Sequence, residues 1–74
     1  MSDLNLKAGD IILSENIGRV LDSFCEDKRK EGYTVEFRHF FLEKMKLYAI
    51  IYINGKPIAL PLPNGWKIHH AKRH

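Results

Sequence analysis

The chain has a single cysteine, Cys25, so no disulfide can close within it. Small secreted domains usually carry several cysteines. The polar opening Met1-Ser2-Asp3-Leu4-Asn5-Leu6-Lys7 lacks the apolar stretch of a secretory signal. Together these make the cytoplasm the expected compartment. No apolar run approaches the roughly 20 residues of a membrane span, so a membrane partner is not expected. Glycine and proline are few, five and three, and the prolines are all interleaved with apolar residues between Gly55 and Gly65. No linker, repeat or low-complexity tract therefore splits residues 1–74 into more than one domain. There is no Gly-rich phosphate loop, no Cys-x-x-Cys, no Ser-His-Asp grouping and no carboxylate pair spaced for acid–base work. The expectation is a protein that is not an enzyme and holds no metal and no cofactor.

Acid is missing from the second half. Residues 1–43 hold six Lys/Arg and nine Asp/Glu, while residues 44–74 hold six Lys/Arg and none. Glu43 is the last acid, and a net charge of +3 conceals halves of −3 and +6. An imbalance of this kind is a partner signal rather than a fold signal. The rest of the composition is globular, 45% apolar and 28% charged. A chain this short buries only about 60% of its unfolded surface. Its stability should be about 4–11 kcal/mol, and dimerisation would be a direct way to bury more.

Local patterns give the fold class. Ile17, Val20, Leu21, Phe24 and Cys25 recur at helical spacing with polar residues or glycine between them, which predicts a helix over 15–30. Ser14 suits its N-cap, Lys28-Arg29-Lys30 suits the negative end of the dipole, and Gly32 ends it. Before it, Asp10-Ile11-Ile12-Leu13 reads as a short strand, with the first turn of the helix as the alternative, and residues 1–9 as a loosely held arm. After it, Tyr33, Val35 and Phe37 alternate with polar residues, predicting a strand over 33–42. A turn near Glu43–Lys46 leads to a second strand over 47–53.

Asn54-Gly55 between apolar runs is the signature of a two-residue type I′ hairpin, and it fixes a register. Ile53 should face Lys56, Tyr52 should face Pro57, and Tyr48 should face Pro61. In that register both prolines turn their missing N–H groups away from the partner strand, so residues 56–62 must form a sheet edge. Leu47, Ala49, Ile51, Ile58, Leu60 and Leu62 then share the face that packs on the helix. Tyr48, Ile50, Tyr52, Pro57, Ala59 and Pro61 share the other. Pro63-Asn64-Gly65 turns again, Trp66 and Ile68 fold back on the domain, and 69–74 forms a mobile tail. The fold class is α+β, one amphipathic helix on a three- to four-stranded antiparallel meander sheet. The alternative is an SH3-like small β-barrel, with strands at Gly18–Leu21 and Gly32–Phe37.

The expected function is binding without catalysis. Lys44, Lys46, Lys56, Lys67, Lys72 and Arg73 are the candidate phosphate contacts for a nucleic acid, DNA or RNA. Tyr48 and Tyr52 are the candidate stacking platform, and salt should weaken such binding. The rival is a protein-interaction module (an inhibitor, adaptor or regulatory subunit, or a homodimer) that uses the Tyr/Ile/Pro face. His69-His70-x-x-x-His74 has helical metal spacing but no carboxylate or thiolate beside it, so it reads as a tail that gains charge below about pH 6.5. His39 beside Arg38 has the chemistry for acid–base cleavage of RNA. The helix-then-strands order resembles small bacterial RNA-cleaving toxins and double-stranded-RNA-binding folds at the level of element order alone, without the toxins' motifs. Cys25 lies on the apolar helix face, where a thiol is silenced rather than activated.

Overall fold

The computed structural model describes residues 4–69. The elements run β1 (Leu4–Leu6), a 3-10 turn (Ala8–Asp10), β2 (Ile11–Leu13), α1 (Glu15–Lys30), β3 (Val35–Glu43), β4 (Lys46–Ile53), β5 (Lys56–Pro61) and β6 (Trp66–Ile68). They make an α+β domain. A four-stranded antiparallel sheet has the order β1-β3-β4-β5, and β2 pairs antiparallel with β6 in a second, two-stranded sheet. Among the described residues no barrel closes. Gly18–Leu21 lie inside α1, which removes the SH3-like alternative.

Helix α1 has the bounds its sequence predicts, because both ends are capped. The Ser14 hydroxyl accepts a hydrogen bond from the Ile17 amide at 3.3 Å. At the far end the Gly32 N–H donates to the Arg29 carbonyl at 2.9 Å and the Tyr33 N–H to the Lys28 carbonyl at 3.1 Å. These two bonds form a Schellman motif, and Gly32 supplies its left-handed residue at φ 93°. Ile17 and Cys25 are buried and Leu21 and Phe24 half-buried, but Val20 stays 45% exposed, so the buried stripe is narrower than the apolar one. Tyr33, expected in the strand, belongs instead to the turn after the helix. There the Lys28 ammonium lies 5.9 Å from its ring centre and 5.7 Å from that of Phe24.

The hairpin register is the one that Asn54-Gly55 dictates. Ile53 pairs with Lys56, Tyr52 with Pro57 and Tyr48 with Pro61, with φ of 54° at Asn54 and 81° at Gly55. Strand β5 is the sheet edge that its prolines require. Leu47, Ala49 and Ile51 are 0% exposed and form the centre of the core with Ile17, Phe40 and Leu62. Ile11, Leu13, Trp66 and Ile68 from β2 and β6 belong to the same cluster.

Two features depart from the sequence expectation. Residues 4–9 are not a loose arm: Leu4–Leu6 pair with Leu42–Phe40 of β3. The chain then enters the 3-10 turn, in which the Asp10 carboxylate accepts from the Lys7 amide at 3.1 Å. The predicted strand 33–42 is also displaced to 35–43, and its register shifts between Phe37 and His39. That bulge matters for the site. Val35 and Phe37 oppose Ile53 and Ile51 on the core side, and past the bulge Phe40 and Leu42 oppose Ala49 and Leu47 there. His39 and Phe41 are thereby turned to the other face, opposite Ile50 and Tyr48. The expected tail begins at His69, whose N–H donates to the Asp10 carbonyl at 2.8 Å. Residues 70–74 lie outside the described residues.

Candidate interaction surface

Helix α1 covers one face of the four-stranded sheet. The opposite face carries the half-buried side chains His39 and Phe41 from β3 and Tyr48, Ile50 and Tyr52 from β4, bordered by Pro57, Ala59 and Pro61 of β5 and by Asn5 of β1. The pleat sorts these residues outward because successive side chains of a strand alternate faces. The Phe41 and Tyr48 rings sit across the strand pair with centres 6.4 Å apart. The Arg38 guanidinium lies over the Tyr52 ring, 4.4 Å from its centre, and its Nε pairs with Glu36 at 3.1 Å. Acid and base therefore occur together at both ends of this face: Glu36 with Arg38 at one, Glu43 opposite Lys46 at the other.

Among the described residues, the predicted cations Lys44, Lys46, Lys56 and Lys67 do not share one face. Lys44 and Lys46 stand at the β3–β4 turn, and Lys46 shares the outer face with Tyr48. Lys56 pairs with Ile53 and so belongs to the helix side of the sheet. It stands at the other end of β4, about 24 Å from Lys46 at ~3.4 Å per strand residue. That is about three Debye lengths at physiological salt (one being about 8 Å), so the two ends act as separate charges. Lys67 lies on β6 opposite Ile12, in the other sheet. Lys72 and Arg73 fall outside the described residues, as do His70 and His74. Of the sequence candidates, the fold assembles only Lys46, Tyr48 and Tyr52 on one face, with Lys44 at the adjoining turn.

Phe41 and Arg38 are site residues that alternation alone missed. Counting by twos from Phe37 sends Phe41 to the core, and only the bulge reverses it. The signal was present in the spacing: the core-side residues run 35, 37, 40, 42, and the step of three marks the extra residue. Arg38, the extra residue, is engaged with Glu36 and Tyr52, and its neighbour His39 opposes Ile50. Cys25 is 8% exposed, and burial pushes its thiol pKa up. Arg29 opposes that shift and Asp22 adds to it. This is the setting of a packed thiol rather than a nucleophile.

Among the described residues no three His, Cys, Asp or Glu side chains converge as metal ligands, and no helix is long and apolar enough to cross a membrane. No protein-family model, curated protein or solved structure matches the chain. What fold and surface define is an α+β domain with one sheet face covered by its helix and the other, aromatic and charge-balanced, left open among the described residues.

Proposed function

We propose that this protein is a non-enzymatic interaction module whose outer sheet face seats another polypeptide, and that a second copy of the chain is the partner it fits. The observation that carries this reading is the cluster of Phe41, Tyr48, Ile50 and Tyr52, all half-buried on the side of the sheet that the helix leaves bare. Aromatic and aliphatic groups with few charges at the centre and polar groups at the rim are the anatomy of a protein interface. The ends of the face suit a copy of itself. A two-fold axis parallel to the sheet and perpendicular to its strands sets the two outer faces together and brings the Glu36–Arg38 end of one chain against the Glu43–Lys46 end of the other, acid to base at both ends. A domain of 74 residues also gains more than a large one from such burial.

Size-exclusion chromatography with light scattering over a hundredfold concentration range is the test. The expected result is a dimer mass at the upper concentrations, lost in Ile50→Lys, whose side chain lies at the centre of the face. A wild-type chain that stays monomeric throughout overturns the second-copy reading.

One observation favours a second reading, a single-stranded nucleic acid at the β3–β4 end. Phe41 and Tyr48 offer two adjacent rings there, with Lys46 on the same face and Lys44 at the turn. Stacking contributes about 1–3 kcal/mol per base, and two lysines give only a shallow salt dependence. Titration of labelled single-stranded oligonucleotides at about 50 and 200 mM salt separates the readings. Binding that Tyr48→Ala and Lys46→Glu both weaken supports it, and no binding at the lower salt removes it.

A further inference from the structure

Strand β3 spans Val35–Glu43, but β1 pairs only with its Phe40–Leu42 portion. Among the described residues, positions 35–39 have β4 on one side and no strand on the other. The register tells which groups this leaves at the edge. Ile53 and Ile51 direct their backbone groups to Lys56 and Ile58 of β5, so their opposite numbers Val35 and Phe37 point theirs away from β4. The sheet's far edge, β5, is blunted by Pro57 and Pro61; this one carries no proline. Its one visible cover is an Arg29 guanidinium donating to the Val35 carbonyl at 3.5 Å, a long and exposed contact.

Beside the same edge, between α1 and β3, runs a groove of about 370 Å³. Ile11, Leu21, Phe37 and Phe40 are among its lining residues, together with the charged Asp22 and Arg29. Ahead of the bulge at Arg38 the edge presents the backbone groups of Val35 and Phe37, of which only the Val35 carbonyl is engaged, by Arg29, while the groove beside it presents apolar walls. A lipid tail answers only the second demand, and a nucleic acid answers neither. An extended polypeptide answers both at once: its backbone completes the ladder, and alternate side chains drop into the groove.

We infer that the Val35–His39 edge is a docking site for an extended segment of another protein, about five residues long with apolar side chains at alternate positions, added as a fifth strand in line with β1. This goes beyond the outer-face reading and uses different residues. Backbone pairing supplies affinity without sequence preference, and the groove supplies selection for the residues that face Leu21 and Phe37. Arg29 swings off the Val35 carbonyl when the segment docks.

The test uses the full chain and a displayed library of random heptapeptides, with the enriched sequences then made synthetically. The expected enrichment is for apolar residues two apart. On binding, exchange of the Val35 and Phe37 amides with solvent deuterium should slow at least tenfold. Val35→Pro removes one edge donor without touching the β4 ladder, as Pro57 and Pro61 do on the far edge, and should weaken binding at least tenfold. Should that variant fail to fold, Leu21→Glu on the helix wall should give the same loss. Ile50→Lys, on the other face, should leave peptide affinity unchanged, so this site and the dimer face fail or succeed separately. No enrichment, protection that avoids Val35 and Phe37, or full affinity in both Val35→Pro and Leu21→Glu overturns the inference.

Discussion

Gly65 and Ser14 are locked together at the start of the helix. The Ser14 N–H donates to the Gly65 carbonyl at 2.9 Å, and a Cβ built on Gly65 would stand 3.0 Å from the Ser14 hydroxyl and 3.1 Å from Cδ1 of Ile17. Gly65 also has φ of 126°, a conformation other residues rarely adopt. This contact holds the turn before β6 against the N-cap of α1, and through it the second sheet against the helix.

Gly65→Ala therefore meets two penalties, backbone strain and displacement of a capping hydroxyl. Strain of this kind costs about 1–3 kcal/mol, and a lost N-cap about 1 kcal/mol. Urea denaturation should show a loss of about 2–4 kcal/mol, a large part of the stability of so small a domain. Ser14→Ala alone should cost only the capping share. If Gly65→Ala proves as stable as the wild type, this contact does not hold the two parts together.

The residues explain how far the sequence could be read. Helix α1 was legible to its end residues because Ser14 and Gly32 are local devices that act whatever the surroundings. The hairpin register was legible for the same reason: Asn54-Gly55 admits one turn, and the turn fixes every pair that follows. Strand β1 was not legible. Leu4-Asn5-Leu6 is too short to show a period, and its place beside Phe40–Leu42 is decided by tertiary packing. The outer face was half legible: Tyr48, Ile50 and Tyr52 follow from the hairpin, while Phe41 and His39 arrive through a bulge. A shared cationic surface was not legible, because charge composition carries no direction and Lys72 and Arg73 lie outside the described residues. The fold sends Lys46 and Lys56 to opposite ends and opposite sides of the sheet.

The β3–β4 turn stores strain. Lys44 and Met45 occupy it with φ of 51° and 64°, both left-handed and neither a glycine or asparagine, and Met45 is 79% exposed. The neighbouring hairpin makes the same turn with Asn54-Gly55. Replacing Lys44-Met45 by Asn-Gly should stabilise the protein by about 1–2 kcal/mol, a rise of roughly 4–16 °C in Tm for a chain of this size. A calorimetric scan checks it, and an unchanged or lower Tm would mean that the turn carries no strain to release.

Burial of Cys25 has a signature in pH. Its thiol pKa is raised in the folded protein, first by desolvation, with Arg29 opposing and Asp22 reinforcing. The folded state thus holds a proton that the unfolded chain releases above its ordinary thiol pKa of about 8.5. Stability from the neutral, packed thiol is fully present below that value and declines as pH rises through the folded pKa. Compared with Cys25→Ala, the wild type should lose its advantage progressively as pH rises above about 8.5, measured by denaturant titration at each pH. Native Cys25 should also react with a thiol reagent at least tenfold more slowly than the unfolded chain. A gap between the two proteins that stays constant as pH rises past that value would contradict the burial argument.

Asn54 does more than permit a left-handed turn. Its carbonyl oxygen accepts from the Thr34 amide at 3.0 Å and from the Thr34 hydroxyl at 3.3 Å, while its own N–H donates to the Thr34 carbonyl at 2.9 Å. Thr34 lies between the helix C-cap and β3, so Asn54 anchors the end of one hairpin to the start of the other. Two substitutions separate its roles. Asn54→Gly keeps the φ of 54° accessible and removes only the side-chain bonds, so it should cost about 1 kcal/mol, the ordinary worth of exposed hydrogen bonds. Asn54→Ala loses those bonds and adds about 1 kcal/mol for holding a Cβ-bearing residue left-handed. The alanine variant should therefore be the less stable by about that difference in a urea titration. Equal stability would assign the whole effect to the bonds with Thr34, and a more stable glycine variant than wild type would show that those bonds contribute nothing.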